Sequence, residues 1–139
     1  MYHAKITREG KHHLAEFIDA PGCQTFAGSR TALLVAAKEA LEGWLETHLQ
    51  EGDAPPKPKR VRGGDVVSIE IDLALRTALE LRWARLASGM TQAELAQKAG
   101  VSQQQIARLE RPGANPSVGT IERVAAALGV RAELSLRAG

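Results

Sequence analysis

Apolar and polar residues alternate at the start of the chain, which indicates β-strands. Tyr2, Ala4 and Ile6 alternate with polar neighbours, and after a Glu-Gly-Lys turn the alternation resumes over residues 13–18. Residues 23–27 are long enough for a short third strand before a glycine ends them. These segments predict a small antiparallel sheet that begins with a hairpin.

The period then changes to that of a helix from about Thr31 to Gln50, with Ser29 as its cap. Its apolar residues are expected to lie on one stripe: Leu33, Leu34, Ala37, Leu41, Trp44, Leu45 and Leu49. A hairpin alone is not stable, so this stripe is expected to pack on the sheet.

A linker is predicted over residues 51–64, which contain three prolines, four basic residues and a final Gly-Gly pair. Alternation returns over residues 65–71 and predicts another strand. We assign this strand to the N-terminal sheet, because the helical remainder of the chain offers it no partner. Residues 1–72 are therefore predicted to form one domain and residues 73–139 a second.

The second half carries the signals of short helices separated by tight turns. After a helix predicted over residues 73–88, Thr91 and Glu94 have the spacing of a capping box, and Ser102 and Gln105 have the same spacing. Gly100 stands between these two helix starts, as a helix-turn-helix requires. The residues predicted to lock these two helices together are Leu95, Ala96, Ala99, Val101, Ile106 and Leu109.

The exposed start of the second short helix predicts contacts with DNA. Gln103 and Gln104, and less directly Gln105, are carboxamides that can pair bidentately with adenine in the major groove. Arg108 can reach guanine or a phosphate. Gln92, at the start of the preceding helix, is placed to hold a phosphate together with backbone N–H groups.

The C-terminal tail predicts a dimer. Leu134 and Leu136 alternate with polar residues, which indicates a short strand that has no partner inside a helical domain. We expect this strand to pair with its two-fold mate or with an edge of the N-terminal sheet. Domains of this kind act as dimers on half-sites about 34–36 Å apart, so the prediction is a homodimer or a dimer of dimers.

Charge divides the chain in the same way. Residues 1–53 carry five Lys/Arg and eight Asp/Glu, a net charge of −3, whereas residues 54–139 carry thirteen and eight, a net charge of +5. A basic second half suits a polyanion. The single cysteine, the absence of a bilayer-length apolar run and an N-terminus without a signal-peptide core lead us to expect a cytoplasmic protein without a membrane partner.

Candidate catalytic groups in the first half are isolated. The first strand, taken as Tyr2 to Thr7, has no carboxylate, although two-metal hydrolysis needs convergent carboxylates. Glu16 and Asp19 are single acids beside a turn. His12 and His13 point to opposite faces of a strand. Cys23 has no nearby base and is expected to be structural. We therefore expect no catalytic site, no metal site and no cofactor.

Residues 91–110, TQAELAQKAGVSQQQIARLE, and residues 116–129, PSVGTIERVAAALG, resemble the Cro/repressor (XRE-like) helix-turn-helix family. The resemblance implies that Gln92 contacts backbone phosphate, that Gln103 and Gln104 read bases, and that Asn115 lies near phosphate in the following loop. Ser102, as the cap of the recognition helix, and Gln105 belong to the same predicted interface. The Arg-Pro-Gly run at 111–113 departs from the family pattern and bears on Asn115.

The first half resembles the HicB-type antitoxin domain. Residues 16–28 read EFIDAPGCQTFAG, and a helix containing AKEALEGWLE follows them. The resemblance implies a partial ribonuclease-H-like fold without its chemistry, which covers a small HicA-type mRNA-cleaving toxin. The fold expected for the whole chain is α+β: a partial ribonuclease-H-like sheet with one long helix, then an all-α helix-turn-helix domain that ends in a short strand.

The function expected from these observations is an antitoxin that neutralises a HicA-type toxin and represses its own operon by binding double-stranded operator DNA. The residues that meet the toxin are not identifiable from the sequence. Two alternatives stay open: a ligand-sensing repressor without a toxin partner, and an active nuclease that carries a DNA-targeting domain.

Overall fold

A computed structural model describes residues 1–139, which form two compact units, Met1–Leu75 (unit 1) and Arg76–Gly139 (unit 2). The elements, in chain order, are β1 (Tyr2–Glu9), β2 (His12–Phe17), β3 (Gln24–Ala27), α1 (Arg30–Gln50), β4 (Val66–Ile69), α2 (Leu73–Ser88), α3 (Gln92–Ala99), α4 (Gln103–Leu109) and α5 (Val118–Ala127). The α+β class predicted from the sequence is confirmed. None of the helices has the length and apolarity that crossing a membrane requires.

Unit 1 is built on a four-stranded antiparallel sheet with the order β3-β2-β1-β4. Ala4 lies opposite Phe17 and Tyr2 lies opposite Ile69, and all four are buried. Since neighbours along a strand face opposite sides, the alternate residues form a second face that is open to solvent. The returning strand therefore pairs with β1 in the N-terminal sheet, as the alternation predicts.

Helix α1 covers the buried face of the sheet. Ser29 accepts a hydrogen bond from the backbone N–H of Ala32 and caps the helix. The residues that α1 buries recur every four positions: Leu33, Ala37, Leu41, Leu45 and Leu49. The stripe is narrower than predicted, because Leu34 is exposed and Trp44 is only half-buried. A single row of side chains spaced four residues apart therefore makes the contact of α1 with the sheet.

Unit 2 is a bundle of short helices around one apolar cluster. Its buried members are Leu81, Leu95, Ala96, Ala99, Ile106, Val124, Ala127 and Leu128, with Ala84, Met90, Val101 and Leu109 packed against them. The side chains predicted to lock α3 to α4 are all in this cluster. Gly100 ends α3 with φ +71°, a left-handed conformation that favours glycine, so the chain can turn there into α4.

The strand bounds differ from the sequence-based ones by up to two residues, and β4 is shorter than the predicted 65–71. Strand β1 runs two residues beyond Thr7 and ends at Glu9, which lies opposite His12 next to the hairpin turn. The strand expected around Leu134 and Leu136 is not formed within the chain, because residues 130–139 adopt neither helix nor strand. A strand needs a hydrogen-bonding partner, and the sheet of unit 1 contains no segment of the tail.

Candidate nucleic-acid interface

The start of the recognition helix α4 is fixed by reciprocal hydrogen bonds. The backbone N–H of Gln105 donates to Oγ of Ser102 at 3.1 Å, and the backbone N–H of Ser102 donates to Oε1 of Gln105 at 2.8 Å. This capping box satisfies two donors that a helix start would otherwise leave unpaired. The first turn of α4 is therefore held in one geometry before any ligand arrives.

The outward side chains of α4 are free to bind. Gln103, Gln104 and Arg108 are exposed, and none of the three makes a side-chain hydrogen bond or ion pair within the chain. Gln105 differs, because its carboxamide oxygen is engaged by Ser102 and only its NH₂ group remains for DNA. Of the three predicted base-contacting glutamines, Gln103 and Gln104 therefore have uncommitted carboxamides, whereas Gln105 serves as part of the cap.

The start of α3 carries a second capping box. Thr91 Oγ1 accepts from the backbone N–H of Glu94 at 3.1 Å, and Glu94 Oε1 accepts from the backbone N–H of Thr91 at 3.3 Å. Next to this cap, Gln92 is half-buried, and its Nε2 lies 3.4 Å from Oε1 of Glu110. The NH₂ group of Gln92 therefore faces Glu110, whereas its carboxamide oxygen and the adjoining backbone N–H groups are the groups available for the predicted phosphate contact.

Glu110, directly after α4, joins the recognition helix to α2 through a buried ionic cluster. Its carboxylate accepts from Nε of Arg85 at 2.6 Å, from Nη2 of Arg85 at 2.8 Å and from Nε of Arg82 at 3.0 Å. Arg82 also donates through Nη2 to the carbonyl oxygen of Glu110 at 3.3 Å, and Arg85 through Nη1 to that of Met90 at 2.9 Å. Only 1% of the Glu110 side chain is exposed.

Burial and hydrogen bonding act on this carboxylate in opposite directions. Burial raises the pKa of Glu110, whereas the hydrogen bonds from Arg85 and Arg82 lower it more, so the pKa lies below its ordinary value of 4.5. Sequence reasoning missed this cluster. Its only signal is that Arg82 and Arg85 stand three apart between apolar residues of a helix, where charged side chains are buried only when paired.

The loop after α4 leaves Asn115 exposed, and its side chain makes no hydrogen bond within the chain. The loop turns at Gly113, with φ +81°. The backbone N–H of Ala114 donates to the carbonyl oxygen of Arg111 at 3.3 Å. The Arg-Pro-Gly departure therefore forms a turn that leaves Asn115 open to a ligand.

The candidate groups of unit 1 take structural roles. Asp19 is buried and accepts from the backbone N–H of His3 at 2.8 Å and shares a hydrogen bond with Nδ1 of His3 at 2.9 Å. Burial raises the pKa of the Cys23 thiol to about 11. His12 packs edge-on against Phe26, with ring centroids 5.7 Å apart. No group of three or more His, Cys, Asp or Glu side chains converges.

Unit 2 contains a preformed recognition helix, and its net charge is positive because it has nine Lys/Arg and five Glu. Residues 81–134, which span almost all of its helices, match the family model for helix-turn-helix domains. The match covers the two capping boxes, the Gly100 turn and the buried cluster around Glu110.

Similarity to named proteins extends over both units. Antitoxin HicB 1 of Photorhabdus laumondii is 31% identical over 124 residues, which cover 89% of this chain and 78% of that protein. Antitoxin HicB of Escherichia coli is 30% identical over 124 residues, which cover 89% of this chain and 88% of that protein. This chain belongs to the HicB antitoxin family.

Membership of the HicB antitoxins gives both units a context. Unit 2 is the DNA-binding, helix-turn-helix part of a toxin–antitoxin regulator. Unit 1 is the part that the helix-turn-helix model does not cover, and the resemblance of its residues 16–46 to the HicB domain is confirmed by relatives aligned over most of the chain.

Proposed function

We propose that this protein neutralises a HicA-type mRNA-cleaving toxin in the cytoplasm through unit 1, and represses its own operon by holding a dimer on operator DNA through unit 2. The observation that carries the DNA half is the recognition face itself. Gln103, Gln104 and Arg108 are exposed and unengaged on a helix whose start is already capped. Binding therefore requires little reorganisation of the protein.

Roles within this interface follow from the hydrogen bonds that each side chain has left. Gln103 and Gln104 retain both the acceptor and the donors that adenine recognition requires. Arg108, further along α4, takes guanine or a phosphate. Ser102, Gln92 and Asn115 lie at helix starts or in the loop and are proposed to contact phosphates, which fix position rather than sequence.

The dimer is proposed to form through the C-terminal tail. Leu134 and Leu136 are 68% and 90% exposed, although they alternate with polar residues as in a strand. Pairing with the same segment of a second copy would give each tail a hydrogen-bonding partner and cover these leucines. Removal of residues 130–139 should give monomers in sedimentation velocity, and a dimer that survives the truncation would contradict this proposal.

For the toxin we propose the open face of the unit 1 sheet. Thr7, Leu14 and Phe26 lie opposite one another on adjacent strands, and therefore form one row on the face that α1 leaves uncovered. Phe26 is 67% exposed, and His12 packs against its ring. An exposed aromatic side chain, here beside Leu14, is the kind of anchor on which protein interfaces depend.

The decisive experiment separates the two activities in the full-length chain. Gln103→Ala with Gln104→Ala should weaken operator binding at least about 30-fold, since two bidentate base contacts at about 1–3 kcal/mol each contribute at least about 2 kcal/mol, and should leave toxin neutralisation intact. Phe26→Ser should abolish rescue of toxin-arrested cells and leave operator binding intact. Val35→Ser, at an exposed apolar position of α1, serves as the control for lost surface apolarity.

Each alternative has its own outcome. A chain that binds the operator but neither co-purifies with nor rescues cells from the toxin encoded beside it is a ligand-sensing repressor instead. Metal-dependent cleavage of RNA by the purified protein would favour the nuclease and would contradict our view that the protein is not an enzyme.

A further inference from the structure

Residues 55–62 form an ordered strap on unit 1 and not a free linker. Pro55 is buried and Pro58 and Val61 are half-buried, so every third residue turns towards the protein. This three-residue period is that of a polyproline II helix, the conformation that closely spaced prolines favour. Between the inward positions, Lys59, Arg60 and Arg62 are exposed.

Two hydrogen bonds fasten the backbone of the strap. Oη of Tyr2 donates to the carbonyl oxygen of Pro56 at 2.6 Å, and the backbone N–H of Lys59 donates to Oδ2 of Asp19 at 3.1 Å. Asp19 is 1% exposed and is itself held by two hydrogen bonds from His3. The Asp-Ala-Pro-Gly turn thus supplies a fixed anchor for a segment 40 residues further along the chain.

Three exposed cations of the strap, Lys59, Arg60 and Arg62, have no counter-charge within the protein. These three form no ion pair, unlike Arg30 and Lys38, which bind Asp65 and Asp72. The strap is therefore a short positive track in a unit whose first 53 residues have a net charge of −3. Because the backbone is held at Pro56 and Lys59, ordering it costs little when a polyanion binds.

We propose that the strap binds the phosphate backbone of duplex DNA beside the operator half-site that unit 2 reads. This inference rests on the proposed operator binding. The strap contains no aromatic residue on which a base could stack, which argues against single-stranded nucleic acid. Contacts to phosphates carry no sequence information, so the proposed contribution of the strap is affinity without specificity.

The reach of the chain permits this contact. Eleven Cα–Cα steps lead from Arg62 to the start of α2 at Leu73, and at about 3.3–3.6 Å each they span at most about 40 Å. That upper limit compares with the roughly 34–36 Å of one turn of the DNA helix. Because the strap and unit 2 lie in one chain, DNA bound by unit 2 is presented to the strap at an effective concentration that this connection sets.

The test is the salt dependence of DNA binding by the full-length protein, measured by fluorescence anisotropy on the operator and on an unrelated duplex of equal length. Lys59→Gln with Arg60→Gln removes two cations and keeps the backbone N–H that Asp19 accepts. Each lost phosphate contact lowers the slope of log Kobs against log salt by about 0.9. The slope should therefore flatten by about 1.8 on both duplexes, with binding roughly one to two orders of magnitude weaker at 0.1 M salt.

The control is Arg8→Gln with Lys11→Gln, which also removes one arginine and one lysine from exposed positions of unit 1, at the β1–β2 hairpin. Its slope should stay within about 0.5 of the unmodified protein if only specific phosphate contacts matter. Equal flattening in both variants would mean that the strap acts only through the net charge of the protein, and this would overturn the proposal. An unchanged slope for the strap variant would also overturn the proposal. If DNA binding is unchanged but affinity for polyglutamate is lost, the partner of the strap is an acidic protein instead of DNA.

Failure of the operator proposal is distinguishable from failure of the strap. If the protein shows no preference for the operator, the proposed repressor function fails, but the strap variant must still bind the unrelated duplex with a flatter slope. If the operator is preferred and the slope does not change, the strap alone is refuted.

Discussion

Replacement of Glu110 by glutamine tests whether the buried cluster holds the recognition helix in place. The substitution keeps the size of the side chain but removes its charge. Arg82, with only 5% of its side chain exposed, then loses its ion pair with this carboxylate, and an NH₂ group is brought against the guanidinium groups of Arg82 and Arg85. Removal of one partner from a buried ion pair typically costs about 3–5 kcal/mol, and we expect unit 2 to lose stability by that amount at pH 7.

The assay is urea denaturation followed by the fluorescence of Trp83, which belongs to unit 2, in a Trp44→Phe background that removes the tryptophan of unit 1. Glu122→Gln makes the same charge change at an exposed position of α5 and should stay within about 0.5 kcal/mol. A loss below about 1 kcal/mol for Glu110→Gln, or a loss equal to that of the control, would refute the stabilising role of the cluster.

The same pair of proteins gives a pH dependence of known sign. The pKa of Glu110 in the folded protein is lowered from 4.5, so its ionised form contributes stability that is fully present above about pH 4.5. That contribution is lost as the pH falls through the lower folded value. The stability difference between Glu110 and its glutamine variant should therefore be constant near neutrality and shrink below about pH 4.5. A difference that grows in acid would contradict the assigned pKa shift.

Three further outcomes follow from the structure. Gly100→Ala should destabilise unit 2 by about 1–2 kcal/mol through its left-handed φ alone, since an added Cβ meets nothing within 4 Å. In the same urea assay, Gly119→Ala should stabilise unit 2 by about 0.4–1 kcal/mol, because this glycine lies in the first turn of α5 with a normal φ. Ser102→Ala should cost about 0.5–2 kcal/mol as a lost cap and weaken operator binding, because Gln103 and Gln104 follow it directly; unchanged binding would mean that α4 orders itself. Cys23, with a pKa of about 11, should be on the order of one thousandth thiolate at pH 8 and resist iodoacetamide until urea unfolds unit 1; rapid labelling of the folded protein would contradict its burial.

Local signals in the sequence were sufficient for the elements of both units. The Thr91 and Ser102 caps, the Gly100 turn and the alternation at Tyr2, Ala4 and Ile6 all depend on near neighbours, and the structure contains each of them. The strand around Leu134 could not be settled in this way, because a strand exists only with a partner and a single chain offers none.

The missed features are contacts between residues far apart in sequence. Glu110 meets Arg82 28 positions away, and Asp19 meets the backbone of Lys59 40 positions away. In the sequence, Asp19 and Glu110 read as surface acids, since hydropathy does not indicate which charged residue has a buried partner. The roles of Gln103, Gln104 and Asn115 stay predictions, because only a complex with DNA tests a contact with DNA.

The side chains of Gln103 and Gln104 project from α4 and contribute neither to the apolar cluster nor to any side-chain hydrogen bond of the fold. Exchange of either residue should therefore change folding stability by no more than about 0.5 kcal/mol. Selection on the operator sequence is thus separated from selection on the scaffold. Under the proposed base contacts, two copies of this antitoxin that arise by gene duplication would acquire different operators through substitutions at these two positions, and each copy would keep its stability while cross-regulation between the copies disappears.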